Sequence, residues 1–243
     1  MQRVLVVACV LVALAAATAQ AAGKATINVF AAASLTNVFP KIDGAERYSF
    51  AGSNALAAQI QQGAPADVFA SANMTLPRHL FAKGLVTKPV AFTRNTLVLI
   101  VPARNPAGIH SVHDLRRRGV KLVVAAPAVP VGGYTVQVLK NMSLSEVLQN
   151  VVSREADVRE VLAKVALGEA DAGFVYSTDA RTVPGKVTVL RLPARAKANV
   201  QYGIAVVTAS PNRARAQAFV SKLLMPRAQK TLLAAGFLPR VEK

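Results

Sequence analysis

Apolar residues fall into short runs separated by stretches with helical spacing, and the two alternate nearly throughout the chain. Runs at Ile27–Ala31, Tyr48–Ala51, Ala66–Ala70, Leu97–Val101, Lys121–Ala125, Ala172–Tyr176 and Gly203–Thr208 read as strands. Helices are expected from Ser34 onward, around Leu56 and Ile60 up to Gly63, and over Thr75–Lys83 before Gly84. Others are expected over Tyr134–Asn141 after Gly132-Gly133, over Asn212–Leu224, and over Arg227–Ala235 before Gly236. Asp157-x-x-Glu160 is a capping box opening a helix with Val158, Val161, Leu162 and Val165 on one face, stopped by Gly168. Alternation of this kind predicts an α/β fold. Pro40 interrupts the segment after Ser34, so the first helix is expected to be truncated.

The N-terminus changes where the chain is expected to work. Arg3 precedes an unbroken apolar run of 14 residues, Val4–Ala17, and Ala19-Gln20-Ala21 supplies a small-x-small cleavage pattern. Such a run is short for a membrane span, which needs about 20 residues, so residues 1–21 are expected to be a signal peptide cut after Ala21. Cys9 lies inside the run with eight more apolar residues after it, which argues against a lipoprotein box. No later segment approaches the apolar length of a membrane span, so the mature chain is expected to be soluble and periplasmic.

Composition narrows the classes further. The 243 residues are 53% hydrophobic, enough for one large domain or two modest ones and against disorder. One Cys excludes a disulfide framework and a cysteine-rich zinc site. The 29 Lys and Arg against 12 Asp and Glu give +17, which alone would suggest a nucleic-acid binder. Aromatics are only 5% and Trp is absent, so stacking platforms are poorly supplied. The densest basic cluster, Arg116-Arg117-Arg118 with Lys121, reads as a solvated helix end. Enzyme chemistry finds little support: His110 and His113 sit near Asp114, and neither an HExxH nor a GxSxG pattern occurs.

Candidate chemistry gathers instead where strands hand over to helices. Ser34 follows Ala31-Ala32-Ala33, Ser53 follows Phe50-Ala51-Gly52, Val131 precedes Gly132-Gly133, and Asp157-Val158 opens another helix. Ligands of open α/β sheets bind beyond the carboxyl ends of strands, and free N–H groups at helix starts suit anions. Each helix start carries roughly half a positive charge, so four converging ones would offset about two negative charges. Singly, each position has an ordinary reading: Ser34 and Ser53 as N-caps, Gly132-Gly133 as a turn, Tyr176 as half-buried packing with a wet hydroxyl.

Order and wording add to this. VFAAASLT at Val29–Thr36, FAGSNALAAQ at Phe50–Gln59, GAPADVFASA at Gly63–Ala72, VPVGGY at Val129–Tyr134, ADVREVL at Ala156–Leu162, GFVYSTDA at Gly173–Ala180 and the Tyr202–Val207 strand occur in series. Together they resemble the periplasmic molybdate-binding proteins of bacterial ABC transporters. The resemblance implies a two-lobed, type II periplasmic-binding-protein-like fold, with two mixed sheets flanked by helices and joined by crossing hinge strands. It implies lobes at 22–98 with 205–243 and at 99–204, crossed at Leu97–Val101 and Gly203–Val207. It further implies that molybdate, or tungstate, is held by the side chains and amides of Ser34 and Ser53, the amides of Val131 and Val158, and the Tyr176 hydroxyl. Molybdenum would enter only as the oxyanion through those residues. No catalytic residue and no cofactor are implied. The expected partners are the ion and an inner-membrane ABC permease, not nucleic acid, and the expected state is a monomer. Val131 stands where the family commonly has Ala, and the Asn37–Tyr48 stretch is shorter than usual.

These residue types suit a bare oxyanion. A buried dianion needs dense hydrogen bonding to offset its lost hydration. Molybdate, tungstate and sulfate are fully deprotonated near neutral pH, whereas hydrogen phosphate carries a proton that needs an acceptor. A site made of donors therefore discriminates against phosphate, and sulfate, with its shorter bonds, is the alternative ligand to be rejected by size. None of the five positions is basic; the first lobe has 14 basic and 4 acidic residues and the second 14 and 8, a surface excess of +10 and +6.

Overall fold

The computed structural model describes residues 26–196 and 198–240. The expected signal peptide at 1–21, with Cys9, lies outside the described residues. The first half of the fold runs β1 (Asn28–Ala32), α1 (Phe39–Ile42), β2 (Arg47–Ala51), α2 (Ser53–Gln61), β3 (Val68–Ser71), α3 (Thr75–Ala82) and β4 (Val90–Asn95). The second half runs β5 (Leu97–Pro102), β6 (Leu122–Ala125), α4 (Pro130–Asn141), β7 (Val151–Glu155), α5 (Val158–Ala166), β8 (Ala172–Tyr176), α6 (Ser177–Ala180) and β9 (Val187–Arg191). The chain then returns through β10 (Val200–Val206), α7 (Arg213–Leu224) and α8 (Pro226–Ala234).

Two mixed, five-stranded sheets result, ordered β2-β1-β3-β10-β4 and β7-β6-β8-β5-β9. In the first, β1 is parallel to β2 and β3, while β10 runs antiparallel to β3 and β4. In the second, β6 is parallel to β7 and β8, while β5 runs antiparallel to β8 and β9. The expected α/β fold of two mixed sheets flanked by helices is the observed one. The chain leaves the first sheet at Asn95 and enters the second at Leu97, with Thr96 alone between them, and it returns between Arg191 and Val200.

Alternation along the strands decides what each face buries. Phe30, Phe69 and Ala205 face Leu56, Ile60 and Leu80 of α2 and α3. Val29, Ala31, Val68 and Ile204 face the other way, into a core that includes Phe39, Phe92 and Phe219 and continues into the second lobe. Tilted and edge-on ring pairs fix Phe39 against Phe92 and Phe219 at centroid separations of 5.9 Å.

Three differences from the sequence expectations have physical reasons. Strands β4, β7 and β9 were not expected, and each is an edge strand with exposed or half-exposed positions interleaved among its apolar ones. Gly132-Gly133 is no turn: α4 runs through both from Pro130. A Cβ on Gly132 would collide with the backbone oxygens of Ala125 and Ala126, so glycine is what lets this helix start against the end of β6. The first helix is truncated as expected: a 3-10 turn at Ala33–Leu35 is followed only by the four-residue α1, with Pro40 in its first turn, where proline is tolerated.

Candidate functional site

Each of the five expected residues lies at or beyond the carboxyl end of a strand: Ser34 after β1, Ser53 after β2, Val131 after β6, Val158 after β7, and Tyr176 as the last residue of β8. The structure brings all five to one cavity between the two sheets. The cavity is small: its volume of ≈ 10 Å³ for the centre of a water-sized sphere is close to the ~10–15 Å³ that one water needs on that measure. A sugar or peptide does not fit.

The first lobe supplies the two serines, both buried. Neither acts as an ordinary helix cap. Ser53 is the first residue of α2, the cap position is Gly52, and no side chain caps the helix. Ser53 Oγ instead accepts from the Ala72 N–H at 3.1 Å, which leaves its own proton free for the cavity. Ser34 Oγ lies 2.8 Å from Tyr202 Oη.

The second lobe supplies backbone. Val131 follows Pro130 in the first turn of α4, where no side chain caps the helix, so its N–H is one of the turn's free donors. Val158 opens α5, and the Asp157 carboxylate caps it by accepting from Arg159 N at 2.6 Å and Glu160 N at 3.2 Å. That pattern passes over the Val158 N–H. Tyr176 corrects the half-buried expectation. It is 1% exposed, and its hydroxyl has no hydrogen-bond partner among the described residues. A buried orphan of this kind costs about 1–3 kcal/mol unless something accepts its proton.

Electrostatics favour a negative guest without a positive side chain in the cavity wall. The helices α2, α4 and α5, of 9, 12 and 9 residues, begin at it. Together their ends carry roughly +1.5 charges. The fourth expected helix start is only the 3-10 turn at Ser34, too short for a macrodipole. Asp157 is the single acidic residue in the lining, and its Oδ1 accepts from the two amides of α5. Desolvation pushes the Tyr176 hydroxyl well above its ordinary pKa, helped by Tyr202, Tyr134 and Asp179, so it stays a donor.

The two walls also touch directly. A Cβ on Gly52 would collide with the Ala156 carbonyl of the opposite lobe, so backbone meets backbone there. Arg159 of α5 donates to Asn37 Oδ1 across the cleft at 2.8 Å and lies 2.9 Å from the buried Asp179 Oδ1 as an ion pair. Burial pushes the Asp179 carboxyl up to about 7 against the pull of Arg159.

The remaining candidates stand elsewhere. Asp114 accepts from the His110 and Ser111 backbone and caps its own turn, while His113 Nε2 meets Arg195 at 2.8 Å. Among the described residues no group of three or more His, Cys, Asp or Glu is placed to hold a metal ion. Arg116 pairs with Glu146, and Arg117 donates to the Ala107 and Gly108 carbonyls. Sequence reasoning missed Tyr202 and Asn95 behind Ser34, and the Ala72 amide behind Ser53. A tyrosine within the mostly apolar β10 and an asparagine at the end of β4 were the available signal.

Donors from both sheets converge on one small cavity, and comparison with known proteins places the chain. Residues 11–238 match the bacterial extracellular solute-binding protein family. The chain belongs to that family. This solute-binding protein is 39% identical over 225 residues to the molybdate-binding protein ModA of Mycobacterium tuberculosis, covering 88% of this chain and 85% of that one. It is 35% identical over 234 residues to the molybdate-binding protein ModA of Haemophilus influenzae, covering 89% and 91%. Among solved structures, the periplasmic molybdate-binding protein of Azotobacter vinelandii shares the fold with a TM-score of 0.77 at 24% identity, covering 88% and 100%.

Proposed function

We propose that this solute-binding protein captures molybdate, and tungstate of nearly equal size, in the periplasm and delivers it to an ABC importer. The ion is held by Ser34, Ser53, Val131, Val158 and Tyr176. One observation carries the reading: hydrogen-bond donors from both sheets converge on the cavity, and its one carboxylate, Asp157, is turned through Oδ1 to the amides of its own helix. A fully deprotonated tetrahedral dianion can accept from every direction, whereas hydrogen phosphate brings a proton for which Asp157 Oδ2 is the one carboxylate acceptor in the lining. The relatives named as molybdate-binding support the same choice. Sulfate satisfies the protonation rule, and its smaller size leaves the donors stretched.

Capture works by closure of the lobes about the Asn95–Leu97 and 191–200 connections, and the closed form is what a membrane permease recognises. The protein acts as a monomer exported by a cleaved signal peptide. No bond is made or broken, and no cofactor is used. A thermal-shift panel with molybdate, tungstate, sulfate and phosphate tests the assignment. A ligand at a hundred times its Kd adds about 2.7 kcal/mol. Molybdate and tungstate should give that shift; a flat response to all four ions overturns the proposal.

A further inference from the structure

Behind Ser34 a chain of hydrogen bonds sets which way its proton points. We infer that Asn95 and Tyr202 are positioning residues that keep Ser34 a donor toward the ligand. These roles rest on the oxyanion reading above and go beyond it, because neither residue lines the cavity.

The direction follows from one group that has no choice. The Thr96 backbone N–H can only donate, and it lies 2.9 Å from Asn95 Oδ1. Ser177 Oγ lies on the same oxygen at 3.2 Å. The amide is thereby oriented, with Nδ2 turned to Thr178 Oγ1 at 2.8 Å and Tyr202 Oη at 3.3 Å. An amide NH₂ donates and does not accept, so Tyr202 Oη accepts there. Its single proton then goes to Ser34 Oγ at 2.8 Å, and the proton of Ser34 is left for the cavity. Were the last bond reversed, Ser34 would offer a dianion only lone pairs.

The ring is held for this task. Tyr202 is fully buried, with edge-on contacts to Phe92, Tyr176 and Phe237 at centroid separations of 6.1, 5.8 and 5.6 Å. Desolvation keeps its hydroxyl protonated far above neutral pH. Ser53 reaches the same state by a shorter route, accepting directly from the Ala72 amide. Both serines are thus made donors by a hydrogen bond received from behind.

Asn95→Asp tests the direction because it reverses the relay. The new carboxylate accepts from the Thr96 N–H and from the hydroxyls of Ser177, Thr178 and Tyr202, so the site remains satisfied. Tyr202 then donates to it and takes the proton of Ser34, which faces the cavity as an acceptor. The added charge weakens dianion binding by itself, and adding Tyr202→Phe separates the two effects by removing the relay while keeping the charge.

In calorimetric titrations with molybdate, Asn95→Asp should lower affinity by at least about 30-fold, and the double variant should regain about tenfold of that. In the native background Tyr202→Phe alone should weaken binding by about threefold. It should have no further effect once Ser34→Ala is present. A double variant that binds no better than Asn95→Asp, or additive losses for Tyr202→Phe and Ser34→Ala, overturns the relay and leaves the oxyanion reading standing. A wild-type protein that binds no oxyanion overturns both.

Discussion

The two walls of the cleft present donors by different means. The first lobe uses hydroxyls, Ser34 and Ser53, each held from behind by a named partner. The second uses the backbone of α4 and α5, with a single hydroxyl, Tyr176, that has no partner among the described residues. Side-chain identity therefore decides the chemistry of one wall. On the other wall it decides mainly where the backbone sits, so Gly132, which lets α4 start against the end of β6, should matter more than Val131, whose amide is the proposed donor. The two walls should therefore respond to substitution to different degrees.

The sharpest break should come from the backbone wall. Gly132→Ala puts a methyl against two carbonyls that cannot yield, and such overpacking costs about 1–3 kcal/mol. Displacing the start of α4 should also weaken molybdate binding on the order of 100-fold, measured by thermal unfolding and calorimetry on the same variant. Ser53→Ala should follow, losing about 1.4–2.8 kcal/mol of binding, or roughly 10- to 100-fold. It also orphans the Ala72 amide.

Tyr176→Phe should separate binding from stability. Affinity falls by about tenfold, while the ligand-free protein is unchanged or gains about 1 kcal/mol, because an unpaired buried hydroxyl is gone. Ligand-free Tm against affinity for this one variant checks both signs.

Asp179 gives a smaller, pH-dependent effect at the join of the walls. Its carboxyl is raised to about 7 in the folded protein, against about 3.9 in an unfolded chain. The folded state thus holds the proton after the unfolded chain has lost it. The stabilisation is full below the unfolded value and is lost as pH rises through the folded one. Tm should decline across that window, and Asp179→Asn should flatten the profile. Smallest of all, Val131→Ala should leave affinity within about twofold, since the donor is backbone; a larger change would erase the contrast between the walls.

Central strands and peripheral ones were unequally legible in the sequence. Strands such as Leu97–Pro102, buried at every position, declare themselves as apolar runs. The edge strands Val151–Glu155 and Val187–Arg191 are half solvated, and their mixed composition resembles loop. Gly132-Gly133 reads locally as a turn because the reason for glycine, contact with Ala125 and Ala126, is tertiary. The five proposed ligand positions were singled out by their place at strand ends and by the family resemblance, and all five line one cavity. The groups behind them were not visible, because Tyr202 and Asn95 lie 168 and 61 residues beyond Ser34 in the chain, and only the fold brings Tyr202 to Ser34 and Asn95 to Tyr202.

The central claim is that the cavity selects an oxyanion carrying no proton. Calorimetric titration of molybdate into the protein at neutral pH, with and without a large excess of inorganic phosphate, tests it most directly. One molybdate should bind per chain with an affinity that phosphate leaves unchanged. Displacement of molybdate by phosphate, or tight binding of phosphate alone, would contradict it.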